Sequence, residues 1–383
     1  MNEQQLKRIT DVCVLAMATT FALYVRYCFR NFETTDFRLD TSLWYAAVQQ
    51  QGLAAAGTGV SNYAPTYLYL LYLVSVLLPA VPAVVAIKIP SVVFDFLCAG
   101  LVYRIVGLKY ANRRIAALAF LTVLMAPTVV LNGSLWGQSD SIYTAMLLAC
   151  VYALMTGRAL PAMLAFGAAL ALKLQSMFLA PCIFALWLRR RLPFWSLLLV
   201  PVVYALAMVP AWLEGRTMLD LATIYVSQSG TFHELTRNSP NLYTWLPQRY
   251  YTLLVPAGLL LMGAIGAAFV WLVWRSRAKL APALVLRLSL LSLLMVPYFL
   301  PKMHDRYFFP ADVLSIAYGF YFPGQYYVPV AISFASFFAY QPFLVGHPVL
   351  PLRLLGLVMA GALIAVTVSA YRDLRTQGEA SDR

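Results

Sequence analysis

L-P-K-M-H-D-R-Y-F-F-P-A-D, residues 300–312, sets Lys302, His304, Asp305 and Arg306 between two apolar runs, 283–300 and 309–322. Ionisable groups where a span meets water are costly unless they face protein or solvent, so four together mark a functional site. The rest of the chain agrees with a membrane reading. Of its 383 residues, 62% are hydrophobic and only 11% charged, and the mean hydropathy is +0.74. A water-soluble domain carries about 25% charged residues and cannot hide that much apolar surface.

The apolar runs are continuous rather than alternating, which excludes a membrane β-barrel and leaves an all-α polytopic protein. About 12 transmembrane helices are expected, at roughly 9–29, 88–107, 115–131, 140–157, 160–174, 176–188, 193–213, 251–274, 283–300, 309–322, 326–344 and 351–370. The run 67–78 is short and followed by Pro79 and Pro82, so it reads as a re-entrant or interfacial half-helix in the first outer loop. The pair 160–174 and 176–188 is also short for a ~30 Å core. Lys109, Arg113, Arg114, Arg158, Arg189, Arg190, Arg191, Arg275, Arg277 and Lys279 then sort onto one side with both termini. By the positive-inside rule that side is cytoplasmic. Loops 31–64, 132–139, 214–250 and 301–308 face the periplasm or exterior, as expected of a bacterial inner-membrane protein. One transmembrane domain, 1–376, is followed by a polar tail, 377–383. The net charge of +13 is mostly this orientation signal plus attraction to membrane lipids, with no nucleic acid implied. The five scattered cysteines have neither disulfide nor metal spacing and read as small buried hydrophobes.

Chemistry is expected in the outer loops. Asp36 and Asp40 lie four apart just after a span. A partly desolvated carboxylate there can serve as a general base. Asp140 opens a span inside L-N-G-S-L-W-G-Q-S-D-S, where it serves either as a helix cap or in the site. Gly133 and Gly137 allow close ligand approach, and Trp136 offers a stacking face. Lys173 interrupts an apolar run, so it must meet a phosphate or a carboxylate, Asp140 or Asp95. Lys302, His304 and Arg306 bring donors suited to phosphate oxygens. Gln138, Gln175, Arg237, Asn241 and Asp305 complete the candidate substrate contacts. Asp95, mid-span, reads as a structural polar contact. An acid pair beside phosphate-binding cations is what transfer from a lipid phosphate requires.

Four stretches carry a resemblance: S-N-Y-A-P-T-Y-L-Y-L-L-Y (61–72), L-W-G-Q-S-D-S-I-Y (135–143), L-A-L-K-L-Q (170–175) and L-P-K-M-H-D-R-Y-F-F-P-A-D-V-L (300–314). They resemble bacterial mannosyltransferases related to the second mannosyltransferase of GPI-anchor assembly, within the GT-C class of integral-membrane glycosyltransferases. The match runs from Asp36 to about Leu314. The resemblance implies a GT-C-like fold, a polyprenyl-phosphate sugar donor, a glycan or lipid-linked acceptor and inversion at the anomeric carbon. It makes Asp36 the catalytic acidic residue and places Asp140 in the second acidic motif. Lys173, His304 and Arg306 would hold the donor phosphate. No cofactor is certain from the resemblance. A divalent metal is left open, although no D-x-D occurs. Two other readings remain: a flippase or transporter of a lipid-linked saccharide, and a polymerase or ligase using a polyprenyl-diphosphate glycan.

Overall fold

The computed structural model describes residues 3–230 and 232–379, so the last residues of the expected polar tail, 380–383, lie outside it. Its helices are α1 (Glu3–Cys28), α2 (Ser42–Gln51), α3 (Pro65–Leu77), α4 (Ala83–Gly107), α5 (Arg113–Met125), α6 (Pro127–Val130), α7 (Asp140–Met155), α8 (Ala159–Leu172) and α9 (Ala180–Leu188). They continue as α10 (Phe194–Leu197), α11 (Leu199–Leu213), α12 (Met218–Gly230), α13 (Tyr251–Arg275), α14 (Pro282–Phe299), α15 (Phe309–Tyr321), α16 (Tyr327–Val345) and α17 (Leu352–Glu379). Among the described residues, seven helices are long and apolar enough to cross a bilayer, and the bent pair α5 with 127–136 makes an eighth.

Four of the expected crossings are shorter helices: α7, α8, α9 and α15. Their sequences read as spans because an apolar run looks the same whether it meets lipid or other helices. α7 and α15 are buried on nearly every side. A helix sheathed by neighbours need not match the thickness of the hydrocarbon. α14 stands at the centre, buried from Leu284 through Tyr298, and α17, α15 and α7 pack against it.

The connections sort onto two ends of the bundle. At one end Lys109 Nζ donates to the Tyr321 carbonyl, Arg189 ties the Val273 and Ala278 carbonyls, and Arg114 pairs with Asp11. The basic loops are therefore gathered there. At the other end Lys88, near the start of α4, donates to the Phe29 and Phe32 carbonyls just past α1. α4 thus starts where α1 finishes. α3, whose thirteen residues rise only about 20 Å, stays at that same end as a half-helix. It lies against α2, α4 and α8, and Thr66 Oγ1 is tied to the Ala171 carbonyl at 2.6 Å.

Candidate active site

A cavity of about 740 Å³ opens at the end away from the basic loops. Asp36, Asp40, Trp44, Tyr63 and Gln138 line one part of it. Lys173, Gln175, Arg237, Asn238, Lys302, His304, Asp305 and Arg306 line another. Val255 and Leu259 of α13 and Phe343 of α16 complete the wall.

Asp36 precedes a five-residue π-helical turn, Phe37–Thr41, that leads into α2 and carries Asp40. Two donors meet one of its oxygens: Trp136 Nε1 at 2.9 Å and Gln138 Nε2 at 2.5 Å, both to Oδ2. Oδ1 carries no hydrogen bond to the described protein. Thr34 fixes the approach, its Oγ1 donating to the Trp136 carbonyl at 3.2 Å. Burial, and then the charge of Asp36, push the Asp40 carboxyl up from its ordinary value.

Asp140 does not reach the cavity. It is completely buried and makes no capping bond at the start of α7. Instead it takes Lys173 Nζ at 2.5 Å on Oδ1 and Asn132 Nδ2 at 2.9 Å on Oδ2. Arg306 Nε approaches the same Oδ2 at 3.5 Å, and that nitrogen makes no hydrogen bond. Asp140, expected to take part in catalysis, thus lies outside the cavity lining and is paired with two residues that belong to it. It fixes two cations whose far sides face the cavity. Lys173 is held where α8 breaks, with φ −158° and ψ 136°. Its ammonium also lies 5.1 Å from the Tyr63 ring centre.

The cationic wall is built on a parallel strand pair, β1 (Thr236–Arg237) and β2 (Met303–His304). It is the only such pair among the described residues. Lys302 N donates to the Leu235 carbonyl at 2.7 Å and Asp305 N to the Arg237 carbonyl at 2.9 Å. The pair welds the 214–250 loop to the 301–308 loop. Lys302 (φ 64°) and Asn238 (φ 56°) flank it in left-handed conformations, which non-glycine residues hold only when the surroundings enforce them. The Arg237 guanidinium lies 4.2 Å from the Phe232 ring centre. His304 sits between Phe232 and Tyr307, both at 4.9 Å. Burial, then Arg306, Arg237 and Lys173, hold its ring down to about 2. It is neutral at the wall and offers one N–H rather than a charge. Asp305 accepts from Arg306 N at 2.9 Å, and burial pushes its carboxyl up to about 7 against the pull of Arg306.

The cavity thus brings together Asp36, Asp40, Gln138, Lys173, Gln175, Arg237, Lys302, His304, Asp305 and Arg306. Trp136 and Asn241 stand outside it. Trp136, expected to offer a stacking face, is buried behind Asp36 and donates to it. Asn241 spends its amide on the Pro297 and Leu300 carbonyls and on Tyr243 N, closing the short helix Leu242–Trp245 onto α14. The glycines of the second loop have backbone reasons instead of a ligand. A Cβ at Gly133 would stand 3.2 Å from Asp95 Oδ2, and Gly137 is left-handed at φ 79°. Asn132, Tyr63 and Phe343 escaped notice in the sequence. Asn132 and Tyr63 lay inside stretches already singled out, whereas Phe343 looks like any ring of a membrane-end belt. Among the described residues no three His, Cys, Asp or Glu side chains gather as metal ligands.

No protein-family model matches the chain, and no curated protein matches it by sequence. Solved structures do share its architecture. ArnT from Cupriavidus metallidurans in the apo state superposes with a TM-score of 0.57, and the same protein bound to undecaprenyl phosphate with 0.55. Each is 13% identical and covers 96% of this chain and 78% of its own. At that identity the likeness establishes the fold, a GT-C-like polytopic all-α membrane protein.

Proposed function

We propose that the chain is a polyprenyl-phosphate-sugar-dependent glycosyltransferase. It moves a hexose, mannose in this reading, onto a hydroxyl of a glycan or lipid-linked acceptor with inversion at C1. The observation that carries the proposal is the polarity of one cavity: carboxylates Asp36 and Asp40 on one part, Arg237, Lys302 and Arg306 on another. Leu259, which lines the cavity from α13, is otherwise exposed on the outside of the bundle, where a lipid tail can leave. The shared fold supports the donor class, since an ArnT structure carries undecaprenyl phosphate.

In the proposed reaction the acceptor hydroxyl lies on Asp36 Oδ1, because Oδ2 already holds Trp136 and Gln138. The hydroxyl oxygen forms its bond to C1 on the face opposite the phosphate, and the C1–O bond to phosphate breaks. The electron pair goes to the phosphate oxygen, which leaves as polyprenyl phosphate, while the hydroxyl proton passes to Asp36 and then to water. Arg306, Lys173, Arg237 and Lys302 stabilise the departing charge, and His304 adds a neutral N–H. A well-placed donor to developing charge is worth about 2.7–4 kcal/mol. In this reading the cavity faces the outside of the bacterial inner membrane and both termini are cytoplasmic, which the basic loops at the opposite end support by the positive-inside rule.

Purified protein given polyprenyl-phosphate mannose and a glycan acceptor should release polyprenyl phosphate and form a glycoside of inverted configuration. Consumption of a diphosphate-linked oligosaccharide in its place would favour a polymerase or ligase. Movement of the saccharide across a vesicle membrane without bond cleavage would favour a flippase.

A further inference from the structure

Trp136 touches both chemical poles of the cavity without lining it. Its Nε1 donates to Asp36 at 2.9 Å, and the Arg306 guanidinium carbon stands 5.3 Å from its ring centre. The indole leaves a π-helical turn, Leu131–Trp136, that ends in left-handed Gly137. Short π segments are uncommon and recur at functional sites. What fixes the ring comes from elsewhere in the chain. Phe343 stacks on it at 4.4 Å with planes 18° apart, and Tyr340, one turn earlier on α16, meets it edge-on at 5.5 Å. Tyr340 is fully buried, whereas Phe343 is half-buried and is itself part of the cavity wall.

We infer that Phe343 is a positioning residue for the proposed transfer. It holds the Trp136 indole so that one ring aims its N–H at the base and presents its face to the phosphate-side arginine. An aromatic pair in this geometry contributes about 0.5–1.5 kcal/mol beyond its burial. That is enough to favour one indole orientation, and a base displaced by a fraction of an ångström loses rate steeply. This positioning role rests on the glycosyl-transfer reading above.

The test is steady-state transfer by Phe343→Leu and Phe343→Tyr, with thermal midpoint and undecaprenyl-phosphate binding measured on the same preparations. Phe343→Leu should lower kcat about tenfold and change the donor KM less than about twofold. Phe343→Tyr should restore kcat. Trp136→Phe keeps a ring against Phe343 but deletes the N–H, so it should show the same loss without rescue by the tyrosine. Unchanged kcat in Phe343→Leu, or a rise in KM alone, overturns the inference, as does a Trp136→Phe enzyme with wild-type kcat. If wild-type protein transfers no sugar from any polyprenyl-phosphate donor, it is the functional reading that fails. Failure of the positioning role leaves wild-type transfer intact.

Discussion

Asp95 and Asp140 are both wholly buried, both sit near the cavity end, and each is paired with a cation from another helix. Asp95 takes Arg26 through Nε at 3.2 Å and Nη2 at 3.0 Å, and Arg26 spends its remaining donor on the Ala22 and Leu124 carbonyls. None of the residues in that knot lines the cavity described above. Asp140 instead holds Lys173 and Arg306, which do line one. The chemistry of the two carboxylates is nearly identical, so burial and pairing do not separate structure from function. What separates them is whether the partner cation has a second side turned to open space. A buried ion pair removed in one half is strongly destabilising. Replaced as a whole by apolar residues it is often neutral or better.

The comparison is broken most severely at Asp36. Asp36→Asn should cut transfer by about 10²–10⁴, the usual worth of a general base, with the thermal midpoint close to wild type. Asp95→Asn, measured in the same assay, should leave kcat of the folded fraction within about twofold. Full activity in Asp36→Asn would remove that residue from the mechanism.

Stability and activity should then come apart between the two knots. Asp95→Asn and Asp140→Asn should each lose on the order of 3–5 kcal/mol in denaturant unfolding, since each strands a buried cation. The paired replacements should differ. Arg26→Met with Asp95→Leu should regain wild-type stability and keep transfer. Lys173→Met with Asp140→Leu should regain only part of the loss, because Arg306 is left without its anchor, and should stay at least about a hundredfold slow. Equal activity of the two double variants would erase the distinction. A smaller effect is expected at the strand pair: Arg237→Gln should raise the donor KM about tenfold with kcat nearly intact, as a lost charge-assisted contact does.

How much of this could be read in advance follows from what water and lipid penalise. Charges in or beside apolar runs are expensive, so Asp36, Lys173 and Arg306 stand out in the sequence by cost alone. That Asp140 would answer to Lys173 was one of the alternatives the sequence left open; that it would sit behind the cavity instead of in it was not legible. A fully apolar run such as α7 or α15 has no period that distinguishes lipid from protein, which is why the number of long spans is smaller than the number of runs. The strand pair of 236–237 and 303–304 is two residues on each side, too short for alternation to register. Trp136, Tyr340 and Phe343 vanish among rings that membrane ends collect anyway. The glycines around Trp136 invited a ligand, while their reasons were the Asp95 carboxylate and a left-handed turn.

The mildest prediction concerns pH and the carboxylate that lies between the two poles. Asp305 is raised from the ordinary 3.8 to about 7, by burial first and against Arg306. The folded state therefore holds this proton across a range in which the unfolded chain has already lost it. The stability it lends is complete below 3.8 and declines as pH rises toward about 7, then levels off. Above 7 the ionised carboxylate, 3.8 Å from Arg306 Nη1, competes with the donor phosphate for that guanidinium. A phosphodiester donor does not itself titrate in this range. Its KM should climb about two- to fivefold between pH 6 and 8, a size fitting a charge interaction in a partly open site. Asp305→Asn should flatten both the KM climb and this part of the thermal-midpoint profile. Asp95→Asn, which touches the closed knot only, should leave the KM profile as it is. A KM profile still climbing in Asp305→Asn would mean that another group, not Asp305, meets the phosphate arginine.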